Sequence, residues 1–234
     1  MDTSAQEGYH LKSSKKNHQF YIDDWGLSPE INQAVLNLAR LGVVAGVSVL
    51  VDLPYVNDGL DKLLTFEKIK IGLHFNLTES DTHWASFIRN RSLIEAEIHR
   101  QHEKLMEVSR RIDYIDGHHH IHLLPIVSKY VERFSTSHRI PIRLLDDPSH
   151  PGSYLLTKAF RLKARSSDHF VCSYLTPYDL KKNSRLHLKL LRSRTKPLVI
   201  HVSAESESKG SASAFESFRR QQYLRILDHL RDQI

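Results

Sequence analysis

Short apolar runs alternate with segments of helical periodicity along most of the chain. The apolar runs that are rich in β-branched residues and short enough for strands cover residues 19–22, 43–51, 68–73, 112–115, 140–145 and 196–200. The segments with apolar residues at helical spacing cover residues 28–42, 57–66, 90–111, 124–138, 177–194 and 213–233. Residues 150–175 show neither pattern clearly. Strands that alternate with helices at this spacing predict an α/β fold with a mainly parallel sheet, open or closed into a barrel.

The first predicted helix has the clearest boundary signals. Ser28 precedes it as a candidate N-cap, and Pro29 takes the first helical position. Glu30 lies in the first turn, where a negative charge is favourable, and Gly42 follows the last apolar position as a stop signal.

The length of 234 residues and the 40% apolar content suffice for one domain with a substantial core. Residues 1–18 are polar and are expected to form a flexible N-terminal lead-in, followed by a single domain over residues 19–234. The N-terminus has no apolar signal segment, and no apolar run approaches the roughly 18 residues needed to span a bilayer. We therefore expect a cytoplasmic protein without a membrane span.

The formal net charge of +6 raises the question of an anionic partner. The basic residues are spread over helical segments and over the C-terminal third, and no aromatic residues interleave with them as in a base-stacking groove. This pattern favours a solvated basic face, and no nucleic-acid partner is expected. Cys172 excludes an internal disulfide and is interpreted as a small buried apolar residue. The oligomeric state stays open, and a homo-oligomer is compatible with the sequence.

Polar residues follow the predicted strands at or just beyond their C-terminal ends. This set consists of Asp23, Asp24, His74, Asp116, His118, His120, Arg143 and His201. In barrels and in open α/β sheets the carboxyl ends of parallel strands meet at one edge, and this edge carries the active site. Taken alone, an Asp pair is often a turn or a helix cap, and a lone histidine often belongs to the core. Their repeated occurrence at strand ends predicts a functional site.

The residue types at this edge indicate a divalent metal ion. Carboxylate and imidazole ligands without thiolate suit Zn²⁺ or another first-row ion, and an incomplete ligand set leaves positions open for water and substrate. A second carboxylate next to the first could accept a proton from water as a general base. Adjacent residues of a strand point to opposite faces, but the backbone turns at a strand end, so that both Asp23 and Asp24 can reach one site.

Three motifs occur in order along the chain: "IDDWGLSPEIN", "IGLHFNLTES" and "DGHHHIHLLP". In their order and separations they resemble the motifs of the YdjC-like family of carbohydrate deacetylases, and this resemblance extends from about residue 19 onward. The resemblance implies a distorted (β/α) barrel, similar to a TIM barrel but with fewer than eight regular repeats. It also implies a metal site of Asp24, His74 and His118, with Asp23 as the general base. One divalent ion, Zn²⁺ or Mg²⁺, is expected, and two imidazole ligands favour Zn²⁺ of these two.

The resemblance assigns further roles around this metal site. Arg143 would anchor Asp23 or the substrate, and His201 would be the candidate general acid. The residues expected to line the substrate are Asp116, His120, His122 and Trp25. His119 is expected to face solvent or to pack away from the site. The family follows its late histidine with Pro and often Gly, whereas His201 is followed by "VSAES", which leaves its orientation and acid role open.

The expected function is metal-dependent removal of acetyl groups from an N-acetylated saccharide such as an N-acetylglucosamine unit. Metal-dependent hydrolysis of another bond, such as a phosphoester, is an alternative, although the sequence has neither a second carboxylate-rich ligand set nor a Gly-rich phosphate loop. A catalytically impaired carbohydrate-binding relative is a second alternative, because the context of His201 differs from the family pattern. Retention of Asp23 together with the three ligands argues against that reading.

Overall fold

The computed structural model describes residues 19–78, 84–163, 168–204 and 214–231. The strands are β1 (Phe20–Trp25), β2 (Val44–Val49), β3 (Lys70–Phe75), β4 (Tyr114–Gly117), β5 (Ile142–Leu145), β6 (His169–Tyr174) and β7 (Leu198–Ile200). The helices are α1 (Pro29–Arg40), α2 (Leu60–Leu64), α3 (Trp84–Arg89), α4 (Ser92–Ser109), α5 (Pro125–His138), α6 (Pro151–Lys163), α7 (Pro177–Lys181), α8 (Asn183–Arg192) and α9 (Ala214–Arg231). A 3₁₀ segment, His118–Leu123, directly follows β4.

The strands form a closed parallel barrel in sequence order. Each strand pairs with the next one along the chain, and β1 closes the barrel by pairing with β7 at Phe20↔Leu198 and Ile22↔Ile200. The predicted α/β barrel with fewer than eight repeats is therefore confirmed. The hydrophobic pattern allowed either an open sheet or a closed barrel, and the structure is a closed barrel. Parallel order brings the carboxyl ends of all strands to one rim.

The segment 150–175, which has no clear pattern in the sequence, contains α6 and β6. β6 is partly exposed over much of its length, so its apolar signal is weaker than that of the other strands. The helix predicted over 177–194 is two helices, because the chain leaves helical geometry at Lys182 (φ −120°, ψ 98°). A capping box between Thr176 and Asp179 starts the first of them. The predicted lead-in, residues 1–18, lies outside the described residues.

Two apolar clusters show the alternation of side chains along the strands. The larger one lies between the strands and the helices and contains Phe20, Ile22 and Ile115. The smaller one takes the alternate residues of the same strands, including Tyr21, Tyr114 and Cys172, and we assign it to the barrel interior. Cys172 is buried, as predicted, and burial raises the pKa of its thiol to about 12.

Two glycines make room for the tyrosine rings of the interior. A Cβ atom on Gly46 would lie 2.5 Å from the Tyr21 ring, and one on Gly72 would lie 2.2 Å from the Tyr114 ring. The glycine of the "IGLH" motif thus leaves the space in which Tyr114 lies two residues before Asp116. No helix in the described parts of the chain is long and apolar enough to cross a membrane.

Candidate active site

The two adjacent carboxylates of β1 reach one site because the strand is irregular at its end. Ile22 pairs with Val47 but Trp25 pairs with Val49, so β1 accommodates one more residue than β2 over this stretch. Asp24 takes a left-handed backbone conformation, with φ 72°, which is costly for a residue other than glycine and is typical of functional sites. The Nε2 atom of His201 lies 3.9 Å from Asp23 Oδ2 and 3.7 Å from Asp24 Oδ2. The predicted turn that brings both carboxylates to one site is confirmed.

Asp24, His74 and His118 converge as a set of potential metal ligands. Asp24 Oδ1 lies 2.9 Å from His118 Nδ1 and 3.3 Å from His74 Nε2, and the two nitrogens are 3.4 Å apart. All three residues are buried. Within the described parts of the chain, Asp24 Oδ1 accepts no hydrogen bond of good geometry. A buried carboxylate oxygen with that deficit, between two imidazole nitrogens, is an arrangement that a divalent cation completes.

A second group of three potential ligands, Asp23, His74 and Asp116, also lies within reach of one point. Its two carboxylates are already engaged, because both of them pair with Arg143. Asp116 also accepts a hydrogen bond from Ser48 Oγ at 2.8 Å and contacts His74 Nδ1 at 2.7 Å. We therefore consider the group around Asp24 the better candidate for a metal.

Asp116 orients His74 for this site. Its contact to Nδ1 leaves the other nitrogen, Nε2, directed at Asp24, which is the usual way in which a carboxylate fixes a ligating imidazole. Burial acts to lower the pKa of His74, but Asp116, Asp23 and Asp24 raise it to about 10. Asp116 has no exposed surface. The structure thus corrects its predicted role: Asp116 positions His74 and Arg143 and does not line the substrate.

Arg143 holds Asp23 with two parallel hydrogen bonds. Nη1 donates to Oδ1 at 2.7 Å and Nη2 donates to Oδ2 at 2.8 Å, and both residues are buried. Burial acts to raise the pKa of Asp23, but Arg143 and His74 hold it well below its ordinary value. Asp23 is therefore ionised at neutral pH, with its carboxylate plane fixed by the guanidinium. The anchoring of Asp23 that was expected of Arg143 is present in the structure.

Helix α9 adds two residues to the site that the sequence did not reveal. Arg219 forms an ion pair with Asp24 Oδ2, and Gln222 Oε1 accepts a hydrogen bond from the His201 backbone N–H at 2.9 Å. The Gln222 amide also donates to Leu175 O at 3.0 Å. Arg219 and Gln222 are buried and three residues apart on one helix face. The one sequence signal for these two residues is that they are long polar side chains on the apolar face of an amphipathic helix.

These contacts affect both the late histidine and the candidate metal ligand. Burial lowers the pKa of His201, so its imidazole is neutral at pH 7. Burial acts to raise the pKa of Asp24, but His118, His74, His201 and Arg219 hold it well below its ordinary value. The His201 backbone, which has no Pro-Gly sequence after it, is fixed by Gln222.

The histidines after β4 point in different directions because the 3₁₀ segment is broken. His119 and His120 have left-handed backbone conformations, with φ 52° and 58°. His118 is buried beside Asp24, His119 is exposed as predicted, and His120 is half-buried. His122 is buried, and its Nε2 donates to the Arg143 carbonyl at 3.0 Å. Burial lowers the pKa of His122 to about 4.

The predicted substrate-lining roles of His122 and Trp25 do not fit these positions. His122 supports the backbone of β5 from a buried position. Trp25 has no exposed surface, and its indole N–H donates to Val56 O at 2.8 Å, within the core between the barrel and its helices. A side chain without exposed surface cannot contact a substrate directly. Of the predicted lining residues, His120 retains that role as an expectation.

Fold and site together define a parallel (β/α) barrel protein with a buried carboxylate–imidazole centre at the carboxyl ends of its strands. The sequence model of the YdjC-like protein family matches residues 21–234, and the chain belongs to that family. It is 24% identical over 143 residues to a carbohydrate deacetylase of Vibrio parahaemolyticus serotype O3:K6, a match that covers 53% of this chain and 57% of the relative. It is 26% identical over 138 residues to a carbohydrate deacetylase of Geobacillus stearothermophilus, with coverages of 52% and 56%.

A chitooligosaccharide deacetylase of Yersinia pestis (strain Pestoides F) is 24% identical over 143 residues, with coverages of 52% and 56%. The matches thus span little more than half the length of these relatives. A crystal structure of a candidate cellobiose-phosphate cleavage protein from Enterococcus faecalis V583 superposes with a TM-score of 0.67. It covers 89% of this chain and 90% of that chain at 18% identity, which shows the shared fold.

Proposed function

We propose that this protein is a metal-dependent hydrolase that removes acetyl groups from an N-acetylated saccharide. The observation that carries the proposal is that the two adjacent carboxylates, Asp23 and Asp24, have different contacts. The unsatisfied Oδ1 of Asp24 lies next to His74 and His118, whereas both carboxylate oxygens of Asp23 already accept hydrogen bonds from Arg143. The names of the relatives, carbohydrate and chitooligosaccharide deacetylase, support an amide bond of an acetylated sugar as the target.

Asp24, His74 and His118 would hold the metal ion. When bound, a divalent ion there supplies Lewis-acid polarisation of the acetamide carbonyl and increases the acidity of water. Arg219 keeps Asp24 Oδ2 occupied, so Oδ1 is the oxygen that remains for the ion. Asp116 keeps His74 Nε2 directed at the same point.

Asp23 would accept the proton of the attacking water. Its pairing with Arg143 makes it a weak base, so its contribution depends on its fixed position and not on high basicity. The proton therefore has to move on, and His201 Nε2 is 3.9 Å from Asp23 Oδ2. His201 is neutral at pH 7 and can take up this proton before it donates it to the leaving amine.

The test is acetate release from a panel of N-acetylated mono- and oligosaccharides, with and without a chelator. We expect release that the chelator abolishes and that Zn²⁺ or another divalent ion restores. Asp23→Asn should lower kcat by about 10²-fold or more, while elemental analysis finds the same metal content as in the wild type. Asp24→Ala and His74→Ala should lose metal as well as activity.

A matched control is His99→Ala, because His99 is exposed on α4 and its ring packs against Phe134 of α5. This variant should retain both activity and metal. Full acetate release by Asp23→Asn would refute the proposed base. Phosphate release from phosphorylated sugars, without acetate release from any substrate in the panel, would favour phosphoester hydrolysis instead.

A further inference from the structure

We propose that His120, His150 and Tyr174, continued by Phe215, form the saccharide-binding subsite of this centre, a role that rests on the proposed function. The rings form one contiguous row that passes through His201, and His120 also lies 5.8 Å from Tyr174. The centroid distances are 5.3 Å for His120–His150, 5.0 Å for His150–Tyr174, 5.5 Å for Tyr174–His201 and 6.0 Å for His201–Phe215. His201 lies in this row between Tyr174 and Phe215 and connects it to the carboxylate pair, because His201 Nε2 is within 3.9 Å of both carboxylates.

Unsatisfied nitrogen atoms along this row indicate a polar ligand. The Nδ1 atoms of His120, His150 and His201, and Nε of Arg219, are buried and have no hydrogen-bond partner among the described residues. A buried polar atom that stays unpaired is unfavourable, so several of them in one place call for an explanation. A saccharide hydroxyl both donates and accepts, and therefore satisfies an imidazole nitrogen in either tautomer.

The backbone around His150 is fixed in a way that suits a binding residue. Asp147 accepts hydrogen bonds from the N–H and hydroxyl of Ser149, and its carbonyl accepts one from the His150 N–H at 3.0 Å. Lys189 ties the Asp147 carboxylate and the Ser149 hydroxyl to the Tyr174 carbonyl. The turn before α6 and the end of β6 are thus joined, which presents the rings of His150 and Tyr174 as one rigid surface.

Phe215 supplies an apolar face at the other end of the row. Its side chain is 47% exposed, and the Arg219 guanidinium lies 4.5 Å from its ring centroid. An exposed aromatic ring beside polar groups of a site matches the mixed character of a pyranose, which has an apolar C–H face and polar hydroxyl edges. The left-handed backbone of His120, with φ 58°, separates this residue from His118, so that one segment serves both the metal site and the row.

The experiment compares His150→Ala and the milder His150→Gln with the wild type. Loss of a hydrogen bond to the sugar should raise KM for the N-acetylated saccharide about tenfold and leave kcat nearly unchanged. Binding of the same saccharide to the inactive Asp23→Asn protein, measured by calorimetry, should weaken by a similar factor when His150→Ala is added. His99→Ala is the control and should change neither quantity. Phe215→Ala should weaken binding, and Phe215→Tyr should retain it.

The outcomes separate the two proposals. Acetate release with unchanged KM and unchanged saccharide binding in both His150 variants would overturn the subsite and leave the proposed function standing. Saccharide binding that depends on His150, without acetate release by the wild type, would support the subsite and refute the deacetylase activity. Absence of any saccharide binding to the Asp23→Asn protein would overturn the subsite as well.

Discussion

Metal binding should expel a proton from His74. This imidazole lies between two carboxylates, with Nδ1 2.7 Å from Asp116 and Nε2 3.3 Å from Asp24. Burial opposes a charge on the ring, but Asp116, Asp23 and Asp24 outweigh it and raise the pKa of His74 to about 10. The ring is therefore cationic at neutral pH. Because a metal ligand must be a neutral imidazole, Nε2 has to lose its proton before it binds the ion.

The free-energy cost of removing this proton follows from the pKa of His74. A pH of 7 is about three units below the pKa of the His74 ring, so its deprotonation costs roughly 4 kcal/mol of metal-binding free energy. The apparent affinity should rise about tenfold per pH unit below pH 10. Without bound metal, the stability of the fold depends on pH in the opposite direction to the metal affinity. The raised pKa stabilises the fold fully below pH 6.5, and this contribution is lost as the pH rises through about 10.

Calorimetric titration with Zn²⁺ near pH 7, in two buffers of different ionisation enthalpy, counts the released protons. We expect about one proton from His74. Asp116→Asn removes the charge that does most to raise the pKa of His74, so it should reduce the count. If Zn²⁺ binds at the site without proton release at pH 7, His74 is already neutral and the reasoning is wrong.

Further changes test the surroundings of the site. Arg219→Gln should destabilise the metal-free protein by about 3 kcal/mol, because a buried carboxylate loses its cation. Zn²⁺ should raise the melting temperature of this variant more than it raises that of the wild type. If the variant is destabilised by the same amount with and without Zn²⁺, the prediction is wrong. Gly72→Ala should cost about 1–3 kcal/mol in urea unfolding, because the added Cβ meets the Tyr114 ring. Arg143→Lys keeps the charge but not the two parallel hydrogen bonds to Asp23, so kcat should fall about tenfold or more with metal content unchanged.

The positions of the main site residues could be predicted because strand geometry fixes them. A parallel strand ends at the same rim as its neighbours, so a polar residue at the end of β1, β3 or β7 is directed to a common place. Asp23, His74 and His201 meet there for this reason alone. The bulge that brings Asp24 to the same site could be anticipated only as a turn at the strand end, because its register depends on pairing with β2.

The residues that were missed or misplaced depend on contacts between distant segments. Arg219 and Gln222 lie on an ordinary amphipathic helix, and nothing in their spacing shows that α9 packs over the strand ends. Trp25 follows the two carboxylates directly, but its indole N–H donates to the Val56 carbonyl within the core, and sequence proximity does not reveal this. Likewise, the half-exposed β6 lacks the periodic signal that marked the other strands.

The site is one connected set of buried charges, and this connection explains why binding and catalysis depend on each other. Arg143 joins Asp23 to Asp116, Asp116 holds His74, and His74 faces Asp24. Buried ions are tolerated only with partners of opposite charge, so each contact in this set constrains the next. The position of the candidate base is thereby linked to that of a metal ligand through side chains of β4 and β5. A change at Asp116 should disturb both functions at once, and its effect should not add to that of a change at either end.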